Sequence, residues 1–456
     1  MQIILICLYL SYIVQIKYKV MKLTHLITIS LIICLFGTNR AQDVWLSISD
    51  VGAERIRIAV MPFFPRVESP TEEDLEMGRK ISEIIYDDLA FSPFFTLLES
   101  QFFPQTIQDE DDIAPFQWVS MGIQAIVLGS FKVSGAKLKV DARLFSVSSS
   151  KRMYRRKLEE KPAQLRRIAH AISDDVVKAL TGEEGIAQTQ IAFISNRTGH
   201  KELYICDYDG YYSNRITYTN SLIFTPDWSP DGFQVSFTSY SSGNANLYAY
   251  DILSREQTIL SDLPGLNVAG AWSPDGRRLA FVSTRDGNSE IYVMDVRTKS
   301  LKRITFNDAI DTSPSWSPNG RNIAFCSDRS GTPQIYIMDE EGGNVHRLTF
   351  EGSFNDQPSW SPRGDIIAFA SRTRGQFDIA IIDPTGGNLT YLTSIGNNEH
   401  PDWAPDGYHI VFCSDRLGRY QLYAMLWDGT QIRRITNSIS DNISPAWSSR
   451  YRWDFD

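Results

Sequence analysis

Trp316-Ser-Pro-Asn-Gly320, with the residues on either side of it, decides how this chain folds. The phrase recurs as Trp228-Ser-Pro-Asp-Gly232, Trp272-Ser-Pro-Asp-Gly276, Trp360-Ser-Pro-Arg-Gly364 and Trp403-Ala-Pro-Asp-Gly407, and a sixth tryptophan follows at Trp447. The successive intervals are 44, 44, 44, 43 and 44 residues. Around Trp316 the unit reads as four short strands: Pro314-Ser-Trp-Ser, Ile323–Ser327, Gln334–Asp339 and His346–Thr349. Runs of β-branched and aromatic residues broken by Asx-Gly turns are what hairpins need. A four-stranded unit with a period in the low forties is a propeller blade, because one such unit cannot bury both of its faces alone.

A second marker, Ser-x-x-x-Gly, recurs at Ser195, Ser239, Ser283, Ser327, Ser371 and Ser414. It runs out of phase with the tryptophans. The first strand pair, Ile191–Ser195 and Glu202–Asp207, has no tryptophan strand before it, and the last tryptophan strand, Ser444–Ser449, has no partners after it. The two halves complete one blade, so the C-terminal strand is expected to close the ring and remove its open edge. Residues 187–450 number 264, six units of 44. The expected fold class is therefore an α/β N-terminal domain followed by an all-β six-bladed β-propeller.

Trp228, Trp272, Trp316, Trp360, Trp403 and Trp447 are expected to be structural, packed between blades where each indole buries roughly 150–250 Å². The Asp-Gly turns are read as tight-turn chemistry and not as metal sites. Strand order places the Ser-Pro-Asp-Gly turns on one face and the Ser-x-x-x-Gly turns on the other, together with the loops that lead into each tryptophan. Those loops differ: Leu222–Thr225, Leu266–Ala269, Asp311–Ser313, Asn355–Gln357, Asn398–His400 and Asn442–Ser444. They are expected to ring the mouth of the central channel. A face regular on one side and idiosyncratic on the other suits a scaffold with a recognition surface, although drift in unconstrained loops gives the same pattern.

The 456 residues exceed what one core supports. Residues 1–41 are read as a leader, with Met21-Lys22 before the apolar run Leu26–Phe36 and Met21 as a candidate start. Residues 55–182 do not repeat and read as a small α/β domain. Its expected elements are a strand over 55–62 and a helix from a Ser69-Pro-Thr-Glu72 capping box to about Ala90. Strands at Phe95–Leu98, Ala125–Lys132, Lys137–Phe145 and Met153–Leu158 follow, then a helix from about Ala163 to the Leu180-Thr-Gly182 stop. Along Lys137–Phe145 the alternation turns Leu138, Val140, Ala142 and Leu144 inward and Lys139, Asp141 and Arg143 outward.

A net charge of −9 argues against general affinity for nucleic acid or anionic membrane. Cys326 and Cys413 occupy one repeat position two blades apart, too far to bridge. No cofactor or metal is implied. The six histidines show no ligand spacing, and no Gly-x-Ser-x-Gly nucleophile elbow occurs. The rival reading is a propeller enzyme or a small-ligand-binding propeller, lactonase-like or lyase-like, with its site in the channel mouth.

Leader, small α/β domain and six-bladed propeller with Trp-Ser-Pro-Asp-Gly and Ile-Tyr-x-Met-Asp phrases resemble the TolB family. The resemblance implies a non-catalytic, monomeric component of the Tol-Pal system in the periplasm of a Gram-negative bacterium. It also implies that the chain supports outer-membrane integrity and envelope constriction in division and reaches the membrane only through partners. The implied partners are Pal, the peptidoglycan-associated lipoprotein, at the propeller mouth, and TolA through a mobile N-terminal segment, residues 42–54. The mouth residues so implied are Leu266, Asn267, Ala269, Asp311, Thr312 and Ser313, and we extend the site to Asn355, Asp356, Glu399 and His400. The segment carries Asp43, Val44, Trp45, Leu46 and Ile48; its alternation suits strand addition to an exposed edge, and a disordered terminus fits the residues equally well.

Overall fold

The computed structural model describes residues 55–450, so the leader and the 42–54 segment, with Asp43, Val44, Trp45, Leu46 and Ile48, lie outside the described residues. The α/β part is built on one sheet of β1 (Ile56–Val60), β2 (Phe64–Pro65), β3 (Phe95–Leu98), β4 (Ala125–Ser134), β5 (Lys137–Ser146) and β6 (Lys151–Glu160). Its order is β3-β1-β4-β5-β6, with β2 paired to β4. The β3-β1-β4 pairs are parallel and the β4-β5-β6 pairs antiparallel.

Helices α1 (Glu72–Phe91) and α3 (Leu165–Thr181) pack on one face of this sheet, over a core that includes Ile58, Ile85, Leu138, Val140, Leu144 and Ile172. The short helix α2 (Pro115–Ser120) and its flanking turns cover part of the other face and bury Trp118 completely. The capping box of α1 sits two residues beyond its expected place. Thr71 is the cap: its hydroxyl accepts from the Asp74 N–H at 3.2 Å, and the Asp74 carboxylate accepts from the Thr71 N–H at 2.9 Å. Pro70 thus precedes the cap. Arg143 is on the outward face, but the Asp109 turn lies over it and pairs with it at 2.9 Å, so it is buried.

Six four-stranded antiparallel sheets follow. The tryptophan strands are innermost: Ile223–Trp228, Asn267–Trp272, Asp311–Trp316, Phe354–Trp360, Asn398–Trp403 and Asn442–Trp447, in blades two to six and then one. Asn442–Trp447 pairs with Gln190–Ser195 and closes the ring inside the first blade. A fully buried phenylalanine stands at the same place in every second strand: Phe193, Phe237, Phe281, Phe325, Phe369 and Phe412. In five blades its neighbour is a third-strand tyrosine, with ring centroids between 5.8 Å and 6.1 Å apart. Blade five has Ala380 in that place.

The tryptophans sit in the seams, in apolar clusters shared by adjacent blades; Trp316, for example, joins Ile291 and Ile304 of blade three to Phe325 of blade four. The Trp228, Trp316 and Trp403 indole N–H groups donate to Ala446, Ala271 and Ser359 carbonyls of the preceding blade at 3.0–3.1 Å. Trp360 differs: it is half-buried and donates to Gly364 in its own turn at 3.3 Å.

The α/β domain packs on the face of the ring that carries the Trp-Ser-Pro-Asp-Gly turns. The contacts are both apolar and ionic: Phe91 of α1 joins a buried cluster with propeller residues and stacks at a tilt against His409, Phe94 packs edge-on against Tyr408, and a polar cluster lies beside them. His170 of α3 is fully buried between Asp88 of α1, at 2.8 Å from Nδ1, and Asp209 of the first blade, at 3.4 Å from Nε2. Ser173 and Tyr208 donate to the same Asp88 carboxylate, and Arg166 pairs with Asp209. Nearby, Asp174 accepts from the Ala187 N–H at 2.8 Å and from Arg450 at 3.2 Å. Burial opposes a charge on His170, but Asp88 and then Asp209 outweigh it and hold its pKa up to about 10.

Candidate functional site

Among the described residues nothing covers the face opposite the α/β domain, and the channel mouth lies at its centre. Every innermost strand carries a bulge three residues before its tryptophan, where the ladder shifts register. At each bulge one residue takes a left-handed backbone: Thr225, Ala269, Ser313, Gln357, His400 and Ser444, with φ between 47° and 58°. None is glycine. A non-glycine residue held there costs on the order of 1–3 kcal/mol and persists only where its surroundings over-determine it. The bulge turns these six side chains onto the wall of a channel of about 240 Å³, together with Asp227 and Asp402, each one place before its tryptophan.

Neighbouring blades are tied across this ring. Ser313 Oγ donates to Asp356 at 2.9 Å, the His400 N–H donates to Gln357 Oε1 at 2.8 Å, and Ser359 Oγ donates to Asp402 at 2.9 Å. Asp227 accepts from the Trp272 N–H at 2.9 Å and Asp402 from the Trp447 N–H at 2.7 Å. Burial in the wall, with Asp402 adding repulsion, pushes the Asp227 carboxyl up to about 8; burial also pushes Asp402 up to about 6. His400 is pushed down to about 4 by burial and by Lys201, so its ring is neutral near pH 7. The mouth thus offers neutral hydrogen-bonding groups over an acidic wall.

The mouth residues singled out from the sequence divide into two sets. Ala269, Ser313 and His400 line the channel, and Leu266, Thr312, Asp356 and Glu399 are at least partly accessible beside it. Asn267, Asp311 and Asn355 are fully buried, which corrects their reading as contact residues. Asp311 is held by Arg329 through two hydrogen bonds of 2.9 and 3.0 Å, Asn267 donates to the Leu263 carbonyl at 2.7 Å, and Asn355 donates to Gln334 at 2.9 Å. They fix the loops that present the others. Asp227 and Asp402 were not singled out; their signal was an acidic residue one place before a tryptophan, a position held by Ser or Ala in the other blades.

Among the described residues, one grouping of His and acidic side chains has ligand atoms within 4.8 Å of one another: Asp88, His170 and Asp209. It lies at the domain joint, where the imidazole itself fills the space between the carboxylates. Cys206, Cys326 and Cys413 are free and buried. The Cys326 and Cys413 thiols donate to the mouth-strand carbonyls of Asn355 and Glu399, each at 3.3 Å.

A family model described as the TolB beta propeller domain matches residues 177–451, and one described as the TolB amino-terminal domain matches residues 44–153. The chain belongs to the TolB family. The Tol-Pal system protein TolB of Desulfosudis oleivorans is 35% identical over 211 residues, 45% of this chain and 48% of that protein. The Tol-Pal system protein TolB of Geobacter metallireducens is 37% identical over 213 residues, 46% of this chain and 48% of that protein. The chain therefore spans about half the length of the curated relatives it matches. The TolB crystal structure from Acinetobacter baumannii aligns with a TM-score of 0.74 at 28% identity, covering 87% of this chain and 97% of that one. That alignment takes in both the α/β domain and the propeller.

Proposed function

We propose that this TolB-family chain is a non-catalytic protein-binding scaffold of the Tol-Pal system in the periplasm of a Gram-negative bacterium. The open propeller face binds Pal, and the segment 42–53 signals to TolA, so that the chain supports outer-membrane integrity and envelope constriction during division. The observation that carries this reading is the ring of six left-handed residues at the channel mouth. Every blade has a strained bulge, yet the six side chains presented there are of five kinds, with serine in two blades. That is a rigid frame with a variable reading surface, on the face the α/β domain leaves open.

Calorimetric titration with the soluble domain of Pal from the same organism tests it. Saturable binding is expected, weakened about tenfold or more by His400→Ala or Gln357→Ala, because each removes a side chain at the centre of the face. Arg277→Ala, exposed on the opposite face, is expected to leave the affinity unchanged. Folded protein that does not bind Pal overturns the reading. If the propeller and the N-terminal segment are coupled, deletion of residues 42–53 changes the Pal affinity, since coupling requires both to bias one equilibrium; equal affinity removes that part of the proposal.

A further inference from the structure

Beside the mouth, between the sixth and first blades, the open face holds a second cavity of about 300 Å³. Ile194 and Ile443 form apolar walls, and Lys201, Glu399 and Tyr420 bring polar groups to it. Glu399 comes from the innermost strand of blade six and Lys201 from the Ser-x-x-x-Gly turn region of blade one, so the pocket exists only in the closed ring.

Two opposite charges face this space without partners of opposite sign. Glu399 Oε1 accepts from the Tyr420 hydroxyl at 2.6 Å, and its carboxylate makes no ion pair among the described residues. The Lys201 ammonium lies 4.8 Å from the centroid of the Phe224 ring and likewise pairs with no carboxylate among the described residues. Lys201 and Glu399 are not within 4.0 Å of each other, so they leave a gap between them. The other carboxylate on the wall, Asp441, is already engaged by Asn196 at 3.2 Å and by the Tyr420 N–H at 3.3 Å. His400, neutral near pH 7, adds no charge.

A guest carrying only an ammonium leaves Lys201 unpaired and is repelled by it; a guest carrying only a carboxylate meets the same difficulty at Glu399. A guest with both groups answers both, and each charge-assisted hydrogen bond in a partly enclosed site is stronger than a neutral one. We propose that this cavity is a binding site for a zwitterionic amino-acid group, its ammonium on Glu399, its carboxylate on Lys201 and its aliphatic part against Ile194 and Ile443. The cavity shares Glu399 and His400 with the proposed protein-binding face, but its ligand chemistry is argued from Lys201 and Glu399 and does not require that role.

Three probes of similar shape decide the point by ligand-observed NMR and calorimetry on the whole chain: L-norleucine, its methyl ester and its N-acetyl derivative. Norleucine is expected to bind saturably, and each blocked derivative to bind about tenfold more weakly or worse, because each lacks one charge. Glu399→Gln and Lys201→Met are each expected to abolish norleucine binding while circular dichroism and Tm remain those of the parent. Comparable binding of all three probes, no binding of norleucine, or binding that survives both substitutions overturns the proposal. The assay contains no Pal, so its failure leaves the scaffold reading standing, and a failure of Pal to bind leaves this assay intact.

Discussion

Two kinds of interface hold this molecule together, and they are built from different chemistry. Between blades, phenylalanine, tyrosine and tryptophan side chains fill seams that recur around the ring, each nearly a copy of the last. Between the ring and the α/β domain, the centre is a buried imidazole flanked by two carboxylates, with Arg166, Tyr208 and Ser173 completing the set. An apolar seam gains stability roughly in proportion to the area it buries. A buried ionic joint gains little net stability, because desolvation offsets attraction, but removing one partner strands a charge. The ring is thus held by quantity of apolar contact, whereas the joint adds complementarity at a few charged atoms to the apolar contacts of Phe91 and Phe94.

The seam side of the comparison is broken most severely by Phe325→Ala. A fully buried aromatic removed from between two blades is expected to cost about 3–5 kcal/mol, read as a lower urea midpoint. A loss below about 1 kcal/mol means the seam collapses around the gap and the contrast with the joint fails.

His170→Ala tests the joint, with an expected cost of about 3 kcal/mol near pH 7, because Asp88 and Asp209 are left facing one another. Adding Asp209→Asn is expected to recover part of that loss, which a Phe325 variant cannot gain from any charge change. The pH dependence follows from the raised pKa: the His170 contribution is full below about pH 6.5 and is lost as pH rises through about 10. Hydrogen exchange is expected to show the α/β helices loosening in the variant before the blades do.

The smallest effect sharpens the comparison from within the ring, where Asp227 brings an ionisable group to a seam. Its pKa is raised to about 8, so between pH 4 and 8 the folded chain holds a proton that the unfolded chain has released. Stability therefore declines as pH rises through that window, by at most about 1.4 kcal/mol between pH 6 and 7. Asp227→Asn is expected to flatten this slope in thermal unfolding; parallel slopes for the two proteins would sink the assignment.

The ring was legible because its signal is repeated: six tryptophans and six Ser-x-x-x-Gly turns state the blade, the phase and the closure. The α/β elements were legible from alternation and from helix signals, with a cap displaced by two residues because Thr71 and Asp74 make a complete box of their own. The joint was not legible. Asp88 and His170 are 82 residues apart, each on an ordinary amphipathic helix, and only tertiary packing brings them to one point. At the mouth, the position of each variable loop followed from strand order, but which side chain faces the channel depends on a bulge. Its only trace is the residue before Pro226, Pro314, Pro358, Pro401 and Pro445, and blade three has Gly270 instead. That is why Asn267, Asp311 and Asn355 read as contacts and turned out to be loop anchors.

The closing of the first blade by Asn442–Trp447 bears on how the chain is made. Synthesis delivers Gln190–Ser195 some 250 residues before the strand that must sit inside it. Until that last strand emerges, the first blade has a bare inner edge and the channel has a missing wall, whatever the other five blades have achieved. A nascent chain stalled short of Asn442 is therefore a ring with a gap, able to recruit a strand from another copy. The final strand acts as a completeness check, and the pocket between blades six and one forms only in chains that pass it.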